Sequence, residues 1–115
     1  MSPEEKLMGM IGLSKRGKYL VYGENLAFSV KKKKIHVVFI ASDAAKNSCA
    51  EIEQAVKKVE DVHPIEIYRN LTKAQLGQAI GHAPVAAIGI MNSGIGHRIM
   101  ELEEEIANGK SEEEF

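Results

Sequence analysis

Two short runs of nearly unbroken apolar residues, 36–41 and 85–91, constrain this chain more than any other feature. A strand with one wet face alternates apolar and polar side chains, whereas a strand covered on both faces has no such need. Both runs carry β-branched residues and are too short for ordinary helices. Sheet at these positions therefore needs helices on both sides, and the intervening segments supply them. Ser2, Pro3 and Glu5 set out an N-cap, a proline in the first turn and a capping-box glutamate. Leu7, Met10 and Ile11 follow at helical spacing, and Gly17 closes the segment. Residues 19–22 read as a short strand ended by Gly23, and 24–33 as a second helix with lysines at its C-terminal end. Ser42 and Asp43 are cap candidates for a helix over 44–59, with Cys49, Ile52, Ala55, Val56 and Val59 facing inward. His63-Pro64 breaks the chain before an edge strand at 65–68. Thr72 caps a short helix closed by Gly81. The glycine-containing turn 92–96 leads into a last helix.

This alternation predicts an α/β/α sandwich whose central sheet is largely covered. The expected domain spans residues 1–109. Residues 110–115 form an acidic tail with too few apolar groups to fold by itself. The chain has 115 residues, enough for one core without metal or disulfide staples. No apolar run approaches the roughly 20 residues that cross a bilayer, so no membrane role is expected. The N-terminus lacks the order of a secretory signal, and the single Cys49 suits a reducing compartment. A cytoplasmic location is the expectation.

The net charge of −1 conceals an asymmetry. Seven of the sixteen acids fall at or beyond Glu101, leaving fourteen Lys and Arg against nine acids through residue 100, a net of +5. The segment 15–34 holds Lys15, Arg16, Lys18 and Lys31 to Lys34 against Glu24 alone. Clustered charge attracts phosphates more than the total suggests, although lysines can also do no more than solvate a surface. Within this segment Lys18 precedes a short strand, and Gly23, Glu24 and Asn25 form the turn into a helix. Glycine permits close backbone approach, and asparagine offers both donor and acceptor to a base edge. Asn25 could equally serve only as a helix cap.

Nothing in the sequence supports catalysis. The four histidines are scattered, and none pairs with Cys or a carboxylate at metal-ligand spacing. No phosphate-binding loop, dinucleotide fingerprint or nucleophile elbow is present, and no cofactor or small-molecule substrate is implied. Cys49 reads as a buried, inert thiol. The turn 92–96 could hold an anion on its backbone N–H groups, which leaves open a small enzyme or nucleotide binder as one alternative.

Five stretches in order resemble the kink-turn RNA-binding ribosomal-protein superfamily. They are Gly12-Leu-Ser-Lys-Arg-Gly-Lys18, Tyr22-Gly-Glu-Asn25, Val38-Phe-Ile-Ala-Ser-Asp43, Leu76-Gly-Gln-Ala-Ile-Gly81 and Val85-Ala-Ala-Ile-Gly-Ile90. The Arg-Gly-Lys and Gly-Glu elements are most similar to the bacterial YlxQ-type ribosome-associated branch. The resemblance implies a mixed, mostly four-stranded sheet and an RNA site at one end of the sandwich. It assigns RNA contacts to Lys18, Gly23, Glu24 and Asn25, and to the loop His82, Ala83, Pro84 and Val85. Lys32 and Lys33 stand in for charge that family members carry elsewhere. The expected partner is structured RNA, kink-turn or ribosomal RNA and the ribosome included. The pattern departs at Leu26 and Ser29, where strong kink-turn binders carry Glu and Lys. Those departures motivate a second alternative, a protein–protein adaptor that keeps the fold without RNA recognition.

Overall fold

The computed structural model describes the backbone of residues 1–113 and the side chains of residues 1–109. The elements are α1 (Pro3–Arg16), β1 (Leu20–Tyr22), α2 (Asn25–Lys31), β2 (Val37–Ile40), α3 (Ala50–Val59), β3 (Glu66–Tyr68), α4 (Lys73–Ile80), β4 (Ala87–Ile90) and α5 (Ser93–Glu113). The four strands lie in the order β1-β4-β2-β3. β2 and β3 run parallel, while β4 is antiparallel to both β1 and β2. The sheet is mixed and four-stranded, as expected, with the two apolar runs in its centre and β3 on an edge.

Side-chain alternation then divides the core in two. Val37, Phe39, Ile88 and Ile90 pack with α1, α4 and α5 on one face. Val38, Ile40 and Ala87 pack with α2 and α3 on the other. These are the three layers of an α/β/α sandwich. Gly89 is needed in its strand because a Cβ there would stand 2.5 Å from Leu26 Cδ1 and 3.1 Å from Ile35 Cδ1. Leu26 is completely buried and seats α2 against the middle of the sheet.

Local signals explain most element ends. Ser2 and Glu5 form the capping box, and Thr72 forms another with Gln75. Gly81 ends α4 in the left-handed region at φ +67, where a side chain would be strained. One expectation fails. The helix expected from residue 44 starts at Ala50, after a series of turns. Asp43 does not cap it: its Oδ1 accepts a 2.8 Å bond from the Lys73 N–H and so ties down the start of α4. Cys49 is buried, but at the helix boundary rather than within the helix. The acidic segment expected at 110–115 falls on side chains outside the described residues. At the start of α5, Asn92 Oδ1 accepts from Ile95 N–H at 2.9 Å, and Gly96 N–H bonds to the Asn92 carbonyl at 2.8 Å. Two of the N–H groups that could have met an anion, those of Ile95 and Gly96, are thus already used.

Candidate nucleic-acid interface

The antiparallel pairing of β1 with β4 decides which sequence neighbours meet. Tyr22 pairs with Ile88, so Gly23 projects beyond the same end of the sheet from which residues 82–86 enter β4. Gly23 turns the chain at φ +81 and carries it from the edge strand into α2. Glu24 is the N-cap residue but makes no side-chain capping bond. Asn25 is the first residue of α2 and is exposed. It is not the cap that its residue type suggested.

The second loop crosses the same rim. His82 N–H bonds to the Gly77 carbonyl at 2.8 Å and Val85 N–H to that of Lys73 at 3.2 Å, so both ends of the loop are pinned to α4. Between these anchors His82, Ala83 and Pro84 are exposed, and Val85 is half-buried. His82 Nδ1 lies 2.9 Å from the Ala83 carbonyl oxygen. A carbonyl only accepts, so Nδ1 is the donor of this bond. The His82 ring meets Tyr22 edge to face, with centroids 4.9 Å apart. Together the two loops line a cleft of ≈ 530 Å³, which Cys49 and Ile52 of the α3 side help to close. Gly23, Glu24, His82 and Val85 thus share one concavity, with Asn25 beside it.

The lysines are elsewhere. Leu20 pairs with Ile90, so Lys18 lies beyond the opposite end of β1, about 10 Å of strand away from Gly23. α2 runs back from the corner to Lys31, and its C-cap is Lys32. His36 N–H bonds to the Ile90 carbonyl, which fixes the segment 32–35 at that same far end. Lys18, Lys32 and Lys33 are therefore not gathered beside the glycine-led corner. Lys18 and Lys33 share an uncommon backbone, with φ of 64° and 61° in the left-handed region.

The far end also collects histidines. His36 and His63 have ring centroids 5.3 Å apart. Burial holds the His36 imidazole below its usual pKa, and the charges of His63 and His97 lower it further. His63 Nε2 lies 2.8 Å from the Ile35 carbonyl and must be its donor.

Sequence reasoning missed several groups at the cleft end. Lys46 and Arg69 line a hollow that shares Cys49 with the cleft, and Lys73 opens α4 beneath the loop. Arg69 is partly engaged by Glu53 at 3.4 Å. Their signal was position: Lys46 and Arg69 follow the C-terminal ends of the parallel strands β2 and β3, which open on this rim.

Comparison with known proteins gives the family and the fold. Residues 5–97 match the Ribosomal protein L7Ae/L30e/S12e/Gadd45 family. The RNA-binding protein YlxQ of Enterococcus faecium is 30% identical over 99 residues, covering 85% of this chain and 91% of that protein. A Bacillus halodurans protein of unknown function superimposes with a TM-score of 0.74 at 24% identity, covering 87% of this chain and 98% of that one. The Giardia lamblia 15.5kD RNA binding protein superimposes with a TM-score of 0.65 at 18% identity, covering 91% and 88%. At such identities the two structures speak for the fold alone.

Proposed function

Because the chain belongs to the Ribosomal protein L7Ae/L30e/S12e/Gadd45 family, we propose that it binds structured RNA and performs no chemistry on it. The observation that carries the reading is the meeting of the 23–25 corner with the 82–85 loop on one cleft. Folded RNA with splayed bases needs such a combination: polar groups for base edges and apolar surface for unstacked faces. Gly23, Glu24 and Asn25 supply the first, and Ala83, Pro84 and Val85 the second. The description of the Enterococcus faecium relative as RNA-binding supports the same partner. Lys46 and Lys73, on the same rim, are better placed for the nearest phosphates than Lys18.

Kink-turn RNA is the ligand this reading favours, and ribosomal RNA in the cytoplasm its source. Leu26 belongs to the core, so the family's glutamate contact has no counterpart, and recognition falls mainly on Asn25. The test is titration of a kink-turn RNA and of a plain hairpin of equal length at low salt. Tighter binding of the kink-turn is expected, and Asn25→Ala should weaken it by about tenfold, the effect of one or two lost hydrogen bonds. Equal affinity for both RNAs would remove kink-turn specificity. Affinity for neither would leave the adaptor reading, which Leu26 and Ser29 favour.

A further inference from the structure

The outward face of α2 presents Asn25, Phe28, Ser29 and Lys32 at helical spacing. Phe28 is 59% exposed, although Leu26, Ala27 and Val30 already supply the helix's buried face. Beside it, against the edge strand β1, lies a shallow groove of ≈ 430 Å³ lined by Leu20, Val21, Tyr22, Asn25, Phe28 and Ser29. The groove begins at the 23–25 corner and runs toward the lysines that follow α2. Lys32 Nζ already sits 5.3 Å from the Phe28 ring centroid. Among the described residues, no carboxylate lies within salt-bridge distance of Lys31, Lys32, Lys33 or Lys34.

We propose that this groove holds an unpaired RNA strand leaving the 23–25 corner, with one base stacked on Phe28 and the following phosphates against Lys32, Lys33 and Lys34. The proposal rests on the RNA reading of that corner and extends it to a single-stranded flank. Bases of any identity stack on an aromatic ring, and phosphates call for uncompensated cations. Over the roughly 10 Å length of α2 the groove offers these in sequence. A second copy of the chain suits the groove poorly: β1 offers an edge of three residues, short for pairing with another strand. A membrane would need a broad apolar patch, and Phe28 is the one large apolar side chain that α2 exposes.

The experiment uses the full chain with two probes, an oligouridine of about eight nucleotides, within the usual single-strand site size, and a blunt-ended kink-turn RNA. Phe28→Ala is expected to weaken oligouridine binding by about tenfold, the loss of one stacked base. Phe28→Tyr should restore it and Phe28→Leu should not, while kink-turn affinity stays within about twofold in all three. Asn25→Ala, at the mouth of the groove, should weaken kink-turn binding more than oligouridine binding. Oligouridine binding indifferent to Phe28→Ala, or restored by leucine as well as by tyrosine, overturns the proposal. So does a dimer in sedimentation, or binding to phosphatidylserine vesicles, that Phe28→Ala abolishes while leaving oligouridine binding intact. Phe28-dependent oligouridine binding without kink-turn affinity upholds the groove and overturns the reading of the corner.

Discussion

Gly77 lies directly beneath Ala83: a Cβ on Gly77 would stand 2.5 Å from the Ala83 carbonyl oxygen and 2.7 Å from that of His82. A glycine within α4 costs helix propensity, yet it lets the loop fold flat onto the helix. Gly77→Ala collides with backbone, which cannot rotate aside, so the loop must move. The expected result is a loss of about 1–3 kcal/mol of stability together with weakened RNA binding. Gly9→Ala, on α1 with open space around it, is the control. It should gain up to about 1 kcal/mol and leave binding alone. Thermal melts and RNA titrations of both variants check this, and unchanged binding by Gly77→Ala would separate the loop from function.

Charge at the far end makes a different prediction. If Lys32 and Lys33 each meet a phosphate of a single strand, changing both to Gln should flatten the slope of log K against log salt. The slope should change by about 0.7 for each phosphate that is no longer neutralised. Asn25→Ala should weaken the structured RNA without altering that slope. Titrations at four or five salt concentrations distinguish the two, and an unchanged slope in the Lys32→Gln/Lys33→Gln variant would exclude those phosphate pairings.

Glu103 is 6% exposed. Its Oε1 accepts a 2.7 Å bond from Asn70 Nδ2, while Oε2 is buried without a partner among the described residues. Burial raises the carboxyl pKa, and the Asn70 bond offsets this only in part. A raised folded-state value means that the native protein holds the proton more tightly. Stability from this group therefore grows as pH falls through the folded pKa. Glu103→Gln keeps an acceptor for Asn70 and removes the buried charge. It should stabilise the protein at pH 7 by about 1 kcal/mol, with the gain fading as the wild-type carboxyl becomes protonated. Melting temperatures across pH test it, and a lower melting temperature at neutral pH would refute it.

His36 acts with the opposite sign. Its pKa is depressed in the folded state by burial, then by His63 and His97. Its contribution is full above the unfolded value of about 6.5 and is lost as pH falls through the depressed folded value, because the unfolded chain takes up the proton first. In a Glu103→Gln background, where the carboxyl no longer masks the effect, melting temperature should drop with acidification. Adding His36→Gln should flatten the drop. An identical pH profile with and without His36 would assign the effect to other groups.

The central strands were legible because continuous apolar runs leave few alternatives, and the caps at Ser2, Thr72 and Gly81 because their chemistry is local. The start of α3 was not. Residues 44–48 are compatible with helix, but Asp43 is drawn into capping α4 and Cys49 packs toward the Ala86 carbonyl, with Sγ 3.9 Å away. Both constraints come from distant segments. The site was legible in part for the same reason. Gly23 and Asn25 stand two residues apart in sequence, and their meeting with residues 82–85 was expected from the resemblance. Lys18 looked like part of the same cluster, yet three residues of strand carry it to the other end of the sheet. Phe28 went unnoticed because an isolated Phe among apolar neighbours reads as core. Only the orientation set by Leu26 turns it outward.

Seven residues make too short a helix to persist in water by themselves. α2 holds its shape because Leu26 is wedged into the space that Gly89 leaves open at the middle of the sheet. The corner at its N-terminus is consequently rigid before any ligand arrives. A nucleic acid that docks there as proposed would meet a finished mould, with little entropy surrendered in ordering the protein, and the free and occupied forms of this rim should superimpose.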